Sequence, residues 1–287
     1  MARYLDPKND VVFKKVFGQN PHLLISFLNS QLTFENGSVI ESIKYLKDEL
    51  IPDNPFKKRS IVDVRCTDNF KREFIVEMQM EWVDAFFERM LFNTAAIYSR
   101  QLKRGNKHLQ LQPVYGLAIL NDNFDKETDE YYHSFEMMNP KNPKEKIAGM
   151  NIVFIELEKF VPKTKPEKEL AVLWLRFLKE IDETACEISS ELKENELIKE
   201  ALELCEEAAY TDEERLAYDK YWDEIRCENL LIEGKFAEGK AEGKAEGVQE
   251  TQTEFILNMD KEGFCMEQIA KIAKISIEKV KEILNKK

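Results

Sequence analysis

The sequence predicts an α/β protein, with a mixed central sheet flanked by helices and followed by an α-helical C-terminal region. Over residues 1–185, hydrophobic patterns of helical and strand period alternate, which indicates a layered domain containing both element types. One run, Val114–Leu120, is apolar throughout, as expected of a strand covered on both faces. After residue 185 the patterns are helical and acidic residues are frequent.

The elements follow one another in a definite order. Apolar residues recur at helical spacing over Asn9–Phe17, and Gly18 stands where a helix commonly ends. Asn20 and Pro21 then provide the start signal of a second helix. The further predicted elements are a strand in 39–46, strands at Ser60–Thr67 and Glu73–Met80, a helix at Asp84–Arg104, strands at Val114–Leu120, Tyr131–Met138 and Asn151–Leu157, and a helix at Lys168–Glu180.

Length and composition limit the class of protein. The 287 residues are 43% hydrophobic and 33% charged, which is typical of a soluble globular protein. We predict three segments: a first domain at 1–185, an acidic helical arm at 186–249 and a small helical segment at 250–287. No apolar run approaches the roughly 18 residues of a membrane span and no signal-peptide pattern is found, so we expect a cytoplasmic protein without a membrane partner.

The distribution of cysteines and charges limits which kinds of functional site the chain can contain. The five cysteines are scattered and only three histidines are present, which argues against a disulfide framework or a structural zinc site. The net charge of −12 is unevenly distributed, because residues 1–185 carry 27 basic and 28 acidic side chains. A near-neutral domain can still present a basic face to phosphates, so the total charge does not exclude a nucleic-acid partner.

A low-complexity segment rich in glycine, lysine and glutamate precedes the last helices. Two interpretations remain open for it: a flexible tether, or a helix whose glycine stripe allows another helix to approach closely. Glutamate and lysine spacing favours a helix, whereas glycine costs about 1 kcal/mol in a helix interior relative to alanine. The glycines that recur nearly every four residues are Gly234, Gly239, Gly243 and Gly247.

The final segment has a pattern similar to a helix-turn-helix. Ile269, Ala270 and Ile272 would lie on one helix, and Ser276 would cap the next, whose Val280 would help to close a small core. Such three-helix patterns bind DNA in some proteins and only mediate packing in others. Acidic and basic residues are balanced here, so structure or self-association into a homo-oligomer is an equally open interpretation.

Acidic residues of two adjacent predicted strands are placed to meet. Asp68 and Asn69 supply the turn between the strands, and side chains alternate along each strand, so Glu77 and Gln79 project from the same face. Folding the hairpin about Phe70 places Asp63 directly opposite Glu77, with Cβ atoms about 4.5–5.5 Å apart. Two acids this close are destabilising unless they share a cation, so the pairing predicts a metal site.

The ligand types favour a hard divalent ion. Mg²⁺ prefers oxygen ligands and keeps several waters, so the carboxylates of Asp63 and Glu77 with one backbone carbonyl, that of Met78, suffice; Mn²⁺ is the expected substitute. Such an ion polarises a phosphate and lowers the pKa of a bound water. Gln79 is placed to orient that water or to contact the phosphate, although a neutral amide lacks the charge of a lysine.

These residues resemble the signature of PD-(D/E)XK nucleases, in which a helix-borne acid precedes an Asp and then Glu-x-Lys or Glu-x-Gln on the next strand. The chain is most similar to the branch called recombination-promoting nucleases, or Rpn-type transposases, over residues 1 to about 185. The matching segments are NDVVFKKVFG at Asn9–Gly18, KKRSIVDVRC at Lys57–Cys66, FIVEMQM at Phe74–Met80, YSRQLKRG at Tyr98–Gly105 and the strand Val114–Leu120.

The resemblance implies a restriction-endonuclease-like fold and Mg²⁺-dependent cleavage of DNA phosphodiesters, serving recombination or transposition. It implies metal ligation by Asp63 and Glu77, with Gln79 in the place of the usual lysine. The further residues that it suggests are Asp10 as auxiliary acid, Lys58 near the phosphate, and Tyr98, Gln101 and Lys14 as substrate contacts.

Two alternatives accompany this hypothesis. Asp63 and Glu77 are equally consistent, taken as an isolated pair, with solvated residues of an exposed hairpin. The whole chain could also be a noncatalytic, oligomeric interaction module that keeps a nuclease fold and only binds nucleic acid. Metal-dependent cutting distinguishes the enzyme from that module.

Overall fold

A computed structural model describes residues 3–34, 37–46, 49–50, 60–61, 64–80, 85–102, 111–162, 169–185 and 187–285. The chain divides into two compact units, Met1–Trp222 and Asp223–Lys287. Each unit is described by itself below.

The first unit combines helices with a central sheet. Its strands are β1 (Ile43–Tyr45), β2 (Glu49–Leu50), β3 (Ser60–Ile61), β4 (Val64–Asp68), β5 (Glu73–Gln79), β6 (Val114–Leu120), β7 (Tyr132–Asn139) and β8 (Asn142–Glu156). Its helices are α1 (Asp10–Phe13), α2 (Pro21–Gln31), α3 (Phe86–Arg100), α4 (Leu170–Glu180), α5 (Ser190–Glu194), α6 (Glu196–Cys205) and the beginning of α7 (Asp212–Lys261).

The main sheet is mixed, as predicted. Its strand order is β1-β4-β5-β6-β8-β7, and β2 and β3 form a separate two-stranded sheet. The strands β5, β6 and β8 run parallel, whereas β1, β4 and β7 pair antiparallel with their neighbours. The carboxyl ends of the three parallel strands therefore meet at one edge, where Gln79 pairs with Leu120 and Leu120 with Glu156.

The two faces of the sheet carry separate cores. Phe74, Val76 and Met78 of β5 belong to the larger core, which includes buried residues of α1, α2, α4 and α6. Ile75 belongs to the smaller core, which includes Phe86 and other buried residues of α3. Side chains of a strand point alternately to opposite faces, so α3 covers the face toward which Ile75 and Glu77 point.

Gly116 of β6 lets α3 approach the sheet closely. A Cβ atom at this position would lie 3.0 Å from the terminal methyl of Met90 and 3.0 Å from the hydroxyl of Thr94. That hydroxyl is itself held, because it donates to the Met90 carbonyl at 2.7 Å. The absence of a side chain at Gly116 thus sets the depth at which α3 sits over β5 and β6.

The segment 187–222 is integrated into the first unit. The Leu5 N–H donates to the Cys205 carbonyl at 2.8 Å, and the Asp6 N–H donates to the hydroxyl of Tyr218 at 3.1 Å. The boundary between the units follows residue 222, whereas the sequence suggested boundaries after residues 185 and 249.

The second unit consists of the rest of α7 with α8 (Met266–Ala273) and α9 (Ile277–Asn285). The glycine-rich segment lies within α7, so of the two interpretations the structure has the helix. Lys274 has φ 55° and ends α8 in the left-handed conformation, and Ser276 precedes α9. A small core joins the three helices through Ile256, Met259, Ile269, Ala270 and Val280, in the helix-turn-helix-like order that the sequence indicates.

Three predicted elements differ from the structure. The predicted strand Ser60–Thr67 contributes to both sheets, with Ser60–Ile61 in the two-stranded sheet and Val64–Asp68 in the main sheet. The first helix ends at Phe13 and continues as a π-helical turn over Lys14–Gly18. The strand predicted at Asn151–Leu157 begins at Asn142, because β7 and β8 extend together as one long hairpin in which Asn139 pairs with Asn142. The prediction placed a polar loop there because prolines and charged residues interrupt the hydrophobic alternation.

Candidate active site

Glu77 is a buried carboxylate on the face covered by α3. Its side chain is 5% exposed. The Asn93 amide donates to Oε1 of Glu77 at 3.0 Å, and Nη2 of Arg89 lies 3.3 Å from Oε2. Both partners lie on α3, one turn apart, because residues i and i+4 share a helix face. The helix thus holds the carboxylate by one amide and one guanidinium group.

Gln79 directs its side-chain oxygen to the same guanidinium group. Nη2 of Arg89 donates to Oε1 of Gln79 at 2.6 Å, so one nitrogen contacts oxygens from two residues of β5. The Arg89 guanidinium also lies over the ring of Phe86, at 4.5 Å from its centroid, and the side chain is 43% exposed. A single positive group therefore bridges Glu77 and Gln79 at the entrance to the site.

Burial raises the pKa of Glu77 above its ordinary value of 4.5. The attraction of Arg89 and the hydrogen bonds from Asn93 and Arg89 lower the pKa but do not cancel the cost of desolvation. Burial disfavours the ionised form of Glu77, so a nearby cation would stabilise it. Shifted pKa values of this kind are frequent at functional sites.

The antiparallel pairing of β4 with β5 has the register from which the metal site was predicted. Val64 pairs with Val76, and three more pairs continue from there to Thr67 opposite Glu73. Val64 and Cys66 lie in the larger core. Asp63 and Lys58, which the sequence suggested as ligand and phosphate contact, lie outside the described residues.

The other suggested site residues have partners elsewhere. Asp10 and Lys14 form an ion pair with one another, in which Nζ of Lys14 lies 3.0 Å from Oδ1 of Asp10. The ring of Tyr98 lies within 3.4 Å of where a Cβ of Gly149 would be, and Gln101 exchanges two hydrogen bonds with the backbone of residue 112. The roles suggested for these four residues stay predictions.

Comparison with protein families provides the decisive observation. Residues 7–233 match the family model described as PD-(D/E)XK nuclease family transposase. The chain belongs to this family. Searches of curated proteins and of solved structures find no significant match. The assignment confirms the predicted family and the restriction-endonuclease-like fold, a mixed sheet with flanking helices and a helical C-terminal region.

As a PD-(D/E)XK family member, the chain is expected to use a divalent metal ion, and the residues at Glu77 fit one. Glu77 and Gln79 already present two oxygens to one positive group, Nη2 of Arg89. Oxygen donors are what Mg²⁺ and Mn²⁺ prefer. In the described part of the chain no group of three His, Cys, Asp or Glu residues is arranged to hold a metal ion, and Asp63 lies outside that part. Met78 places its side chain in the larger core, so its suggested contribution would come from the backbone carbonyl.

The sequence interpretation of this PD-(D/E)XK chain missed Arg89 and Asn93. Both lie on α3, which the sequence predicted as a helix without assigning a site role to either residue. The available signal was helical spacing, because Asn93 and Thr94 share a helix face with Phe86, Met90 and Ile97; in the structure both polar residues are 0% exposed. Polar side chains inside a core require partners, so their presence indicates a buried polar group on the facing strand.

A second buried carboxylate lies at the same edge of the sheet. Glu156, at the end of β8, is 0% exposed. Its oxygens accept from the backbone N–H groups of Phe124 at 2.6 Å and Asp125 at 3.0 Å, and they contact Nε2 of His133 at 3.2 Å and Nζ of Lys159 at 2.5 Å. Its partners satisfy this carboxylate, which fixes the loop that follows β6.

No helix in the described part of this PD-(D/E)XK chain combines the length and the apolar character needed to cross a bilayer.

The raised pKa of Glu77 has a consequence for stability. A carboxyl group with a raised folded-state pKa contributes most below its unfolded-state pKa, near 4.5, and this contribution is lost as the pH rises through the folded-state value. Glu77→Gln replaces the titrating carboxyl group with a neutral amide, so the variant does not lose this stability as the pH rises. We expect the variant to be more stable than the wild type at pH 7, by roughly 0.5–2 kcal/mol, the range that single stabilising substitutions commonly give.

The measurement is urea unfolding followed by tryptophan fluorescence, with the difference between wild type and variant plotted from about pH 4 to pH 8. All three tryptophans precede residue 223, so the signal reports on the first unit. A wild type that remained more stable than Glu77→Gln at pH 7 would contradict the expectation.

Proposed function

We propose that this chain is a metal-dependent DNA endonuclease that hydrolyses phosphodiester bonds, with Mg²⁺ as the physiological ion and Mn²⁺ as a substitute. The observation that carries the proposal is the buried Glu77 carboxylate, which faces a cationic group together with Gln79 in a chain of a nuclease family. The transposase description of that family supports a role in DNA recombination or transposition.

In this proposal Asp63 and Glu77 hold the ion with the carbonyl of Met78. In the described hairpin Val64 pairs with Val76. The proposal continues this register by one residue, which would place Asp63 opposite Glu77. Once bound, a divalent ion supplies polarisation of the phosphate and lowers the pKa of a coordinated water. Asn93 keeps the Glu77 carboxylate in one orientation through its hydrogen bond to Oε1.

The roles proposed for Gln79, Lys58 and Asp10 are those that the family resemblance suggests. Gln79 orients the attacking water or contacts the phosphate through its amide. Lys58 contributes a positive charge to the phosphate in this proposal, and Asp10 stays a predicted auxiliary acid whose described partner is Lys14. The cytoplasmic location and self-association through the C-terminal helices stay predictions.

The test is nicking of supercoiled plasmid by the purified full chain in the presence of Mg²⁺, Mn²⁺, Ca²⁺ or EDTA. We expect nicked and then linear DNA with Mg²⁺ or Mn²⁺ and intact plasmid with EDTA. Single-stranded DNA and RNA of matched length establish which polymer is cleaved.

Equal cleavage with EDTA, or none with any ion, would overturn the proposal. Binding of DNA without cutting would favour the alternative, a nuclease-fold interaction module.

A further inference from the structure

We propose that Arg89 is an exchangeable counter-ion: it neutralises Glu77 in the metal-free protein, is displaced by the incoming metal ion, and then binds a phosphate of the DNA. The inference rests on the proposed function and assigns a role to a residue of α3. It predicts that the metal ion and the DNA assist one another's binding through this side chain.

Arg89 and a metal ion would compete for the same oxygens. Nη2 of Arg89 lies 3.3 Å from Oε2 of Glu77 and 2.6 Å from Oε1 of Gln79. A divalent ion bound to the Glu77 carboxylate would approach that nitrogen closely, and like charges at such short distance repel. The guanidinium group and the ion therefore exclude each other from this position.

The two side chains that donate hydrogen bonds to Glu77 differ in how easily they can be displaced. Asn93 is 0% exposed and donates to Oε1, so it keeps the carboxylate in place. The Arg89 side chain is 43% exposed and lies against the ring of Phe86, with a path to solvent. Displacement of Arg89 would thus expose Oε2 of Glu77, while the hydrogen bond from Asn93 would still hold Oε1.

Arg89 also supplies a positive charge directly beside Gln79. Gln79 stands where the usual pattern has lysine, and the amide oxygen of Gln79 accepts from Arg89. A lysine at this position would meet the guanidinium group with like charge. A planar guanidinium group binds phosphate through two parallel hydrogen bonds, so a displaced Arg89 is well suited to hold the DNA backbone.

The first arm of the test measures Mn²⁺ binding without DNA, at about pH 8, where ordinary carboxyl groups are ionised. Removal of a competing cation should strengthen metal binding, so Arg89→Gln is expected to bind Mn²⁺ roughly 5- to 150-fold more tightly than the wild type, the usual range of coupling between sites. Arg89→Lys, which keeps the charge, should stay near the wild type. Arg100→Gln, exposed on the same helix, is the matched control.

The second arm measures DNA affinity with Ca²⁺ and with EDTA. Wild-type protein should bind DNA more tightly with Ca²⁺, and Arg89→Gln should lose most of that gain because no guanidinium group is released toward the phosphate. Linkage requires the same factor in both directions, so DNA should strengthen Ca²⁺ binding equally. Tryptophan fluorescence verifies that each variant is folded.

The outcomes separate the two proposals. Wild-type protein that binds Mn²⁺, together with Arg89→Gln that binds it equally or more weakly, would overturn the counter-ion role and leave the proposed function intact. Wild-type protein that binds no Mn²⁺, or binding that is unchanged in Glu77→Gln, would instead overturn the proposed metal site.

Discussion

Glu77→Gln is expected to reduce Mg²⁺-dependent DNA cleavage by about a thousand-fold. The substitution preserves shape and the capacity to accept the Asn93 hydrogen bond, but it removes the charge that would hold the ion. Metal-ion stabilisation of a phosphoryl transition state is worth several kcal/mol, and about 4 kcal/mol corresponds to about a thousand-fold in rate. Single-turnover cleavage of a labelled duplex measures the chemical step directly.

The matched control is Glu88→Gln, an exposed acid of α3 next to Arg89 in the chain, which should cleave at the wild-type rate. Asp63→Asn is expected to lose activity as severely as Glu77→Gln. The double variant should lose little more than either single variant, because the two residues act as a unit. Retention of more than about a tenth of the wild-type rate by Glu77→Gln would show that the carboxylate is not a metal ligand.

Glu156→Ala is expected to destabilise the first unit by about 3–5 kcal/mol, the usual cost of breaking a buried ion pair by removing one partner. The substitution would leave Lys159 and His133 without their carboxylate, and it would leave the N–H groups of Phe124 and Asp125 without an acceptor. Urea unfolding monitored by tryptophan fluorescence measures the loss. The same loop adjoins β5, since the Asn121 N–H donates to the Gln79 carbonyl at 2.9 Å, so activity should fall with stability.

Glu158→Ala provides the comparison, because Glu158 is exposed two residues further along and contacts the side chain of Asn123. Exposed substitutions of this kind change stability by about 0.5 kcal/mol or less. Similar destabilisation by both variants would mean that the buried carboxylate has no special role in the fold.

The central hairpin could be predicted from sequence because its signals are local. Asp68 and Asn69 mark the turn: Oδ1 of Asp68 accepts from the N–H groups of Phe70 and Arg72, at 2.9 Å each. Once the turn is fixed, the two-residue period of a strand determines which side chains share a face. The facing of Glu77 and Gln79 follows from that period alone.

The role of α3 could not be predicted in the same way, because it depends on tertiary contacts. Arg89 is twelve residues after Glu77 in the sequence, and no short-range pattern joins them. The depth at which the helix packs depends on Gly116, a residue of a strand that looks uniformly apolar in sequence. The described contacts of Tyr98 and Gln101, to Gly149 and to the segment before β6, likewise depend on tertiary packing that sequence patterns do not encode.

The pairing of the first residues with the segment near Cys205 affects how the protein is made. The hydrogen-bond partner of the Asp6 N–H group, the hydroxyl of Tyr218, is 212 positions later in the chain. During translation the segment before α1 cannot complete its contacts until Tyr218 has been synthesised, so the first unit completes its fold only after this late part of its own chain exists.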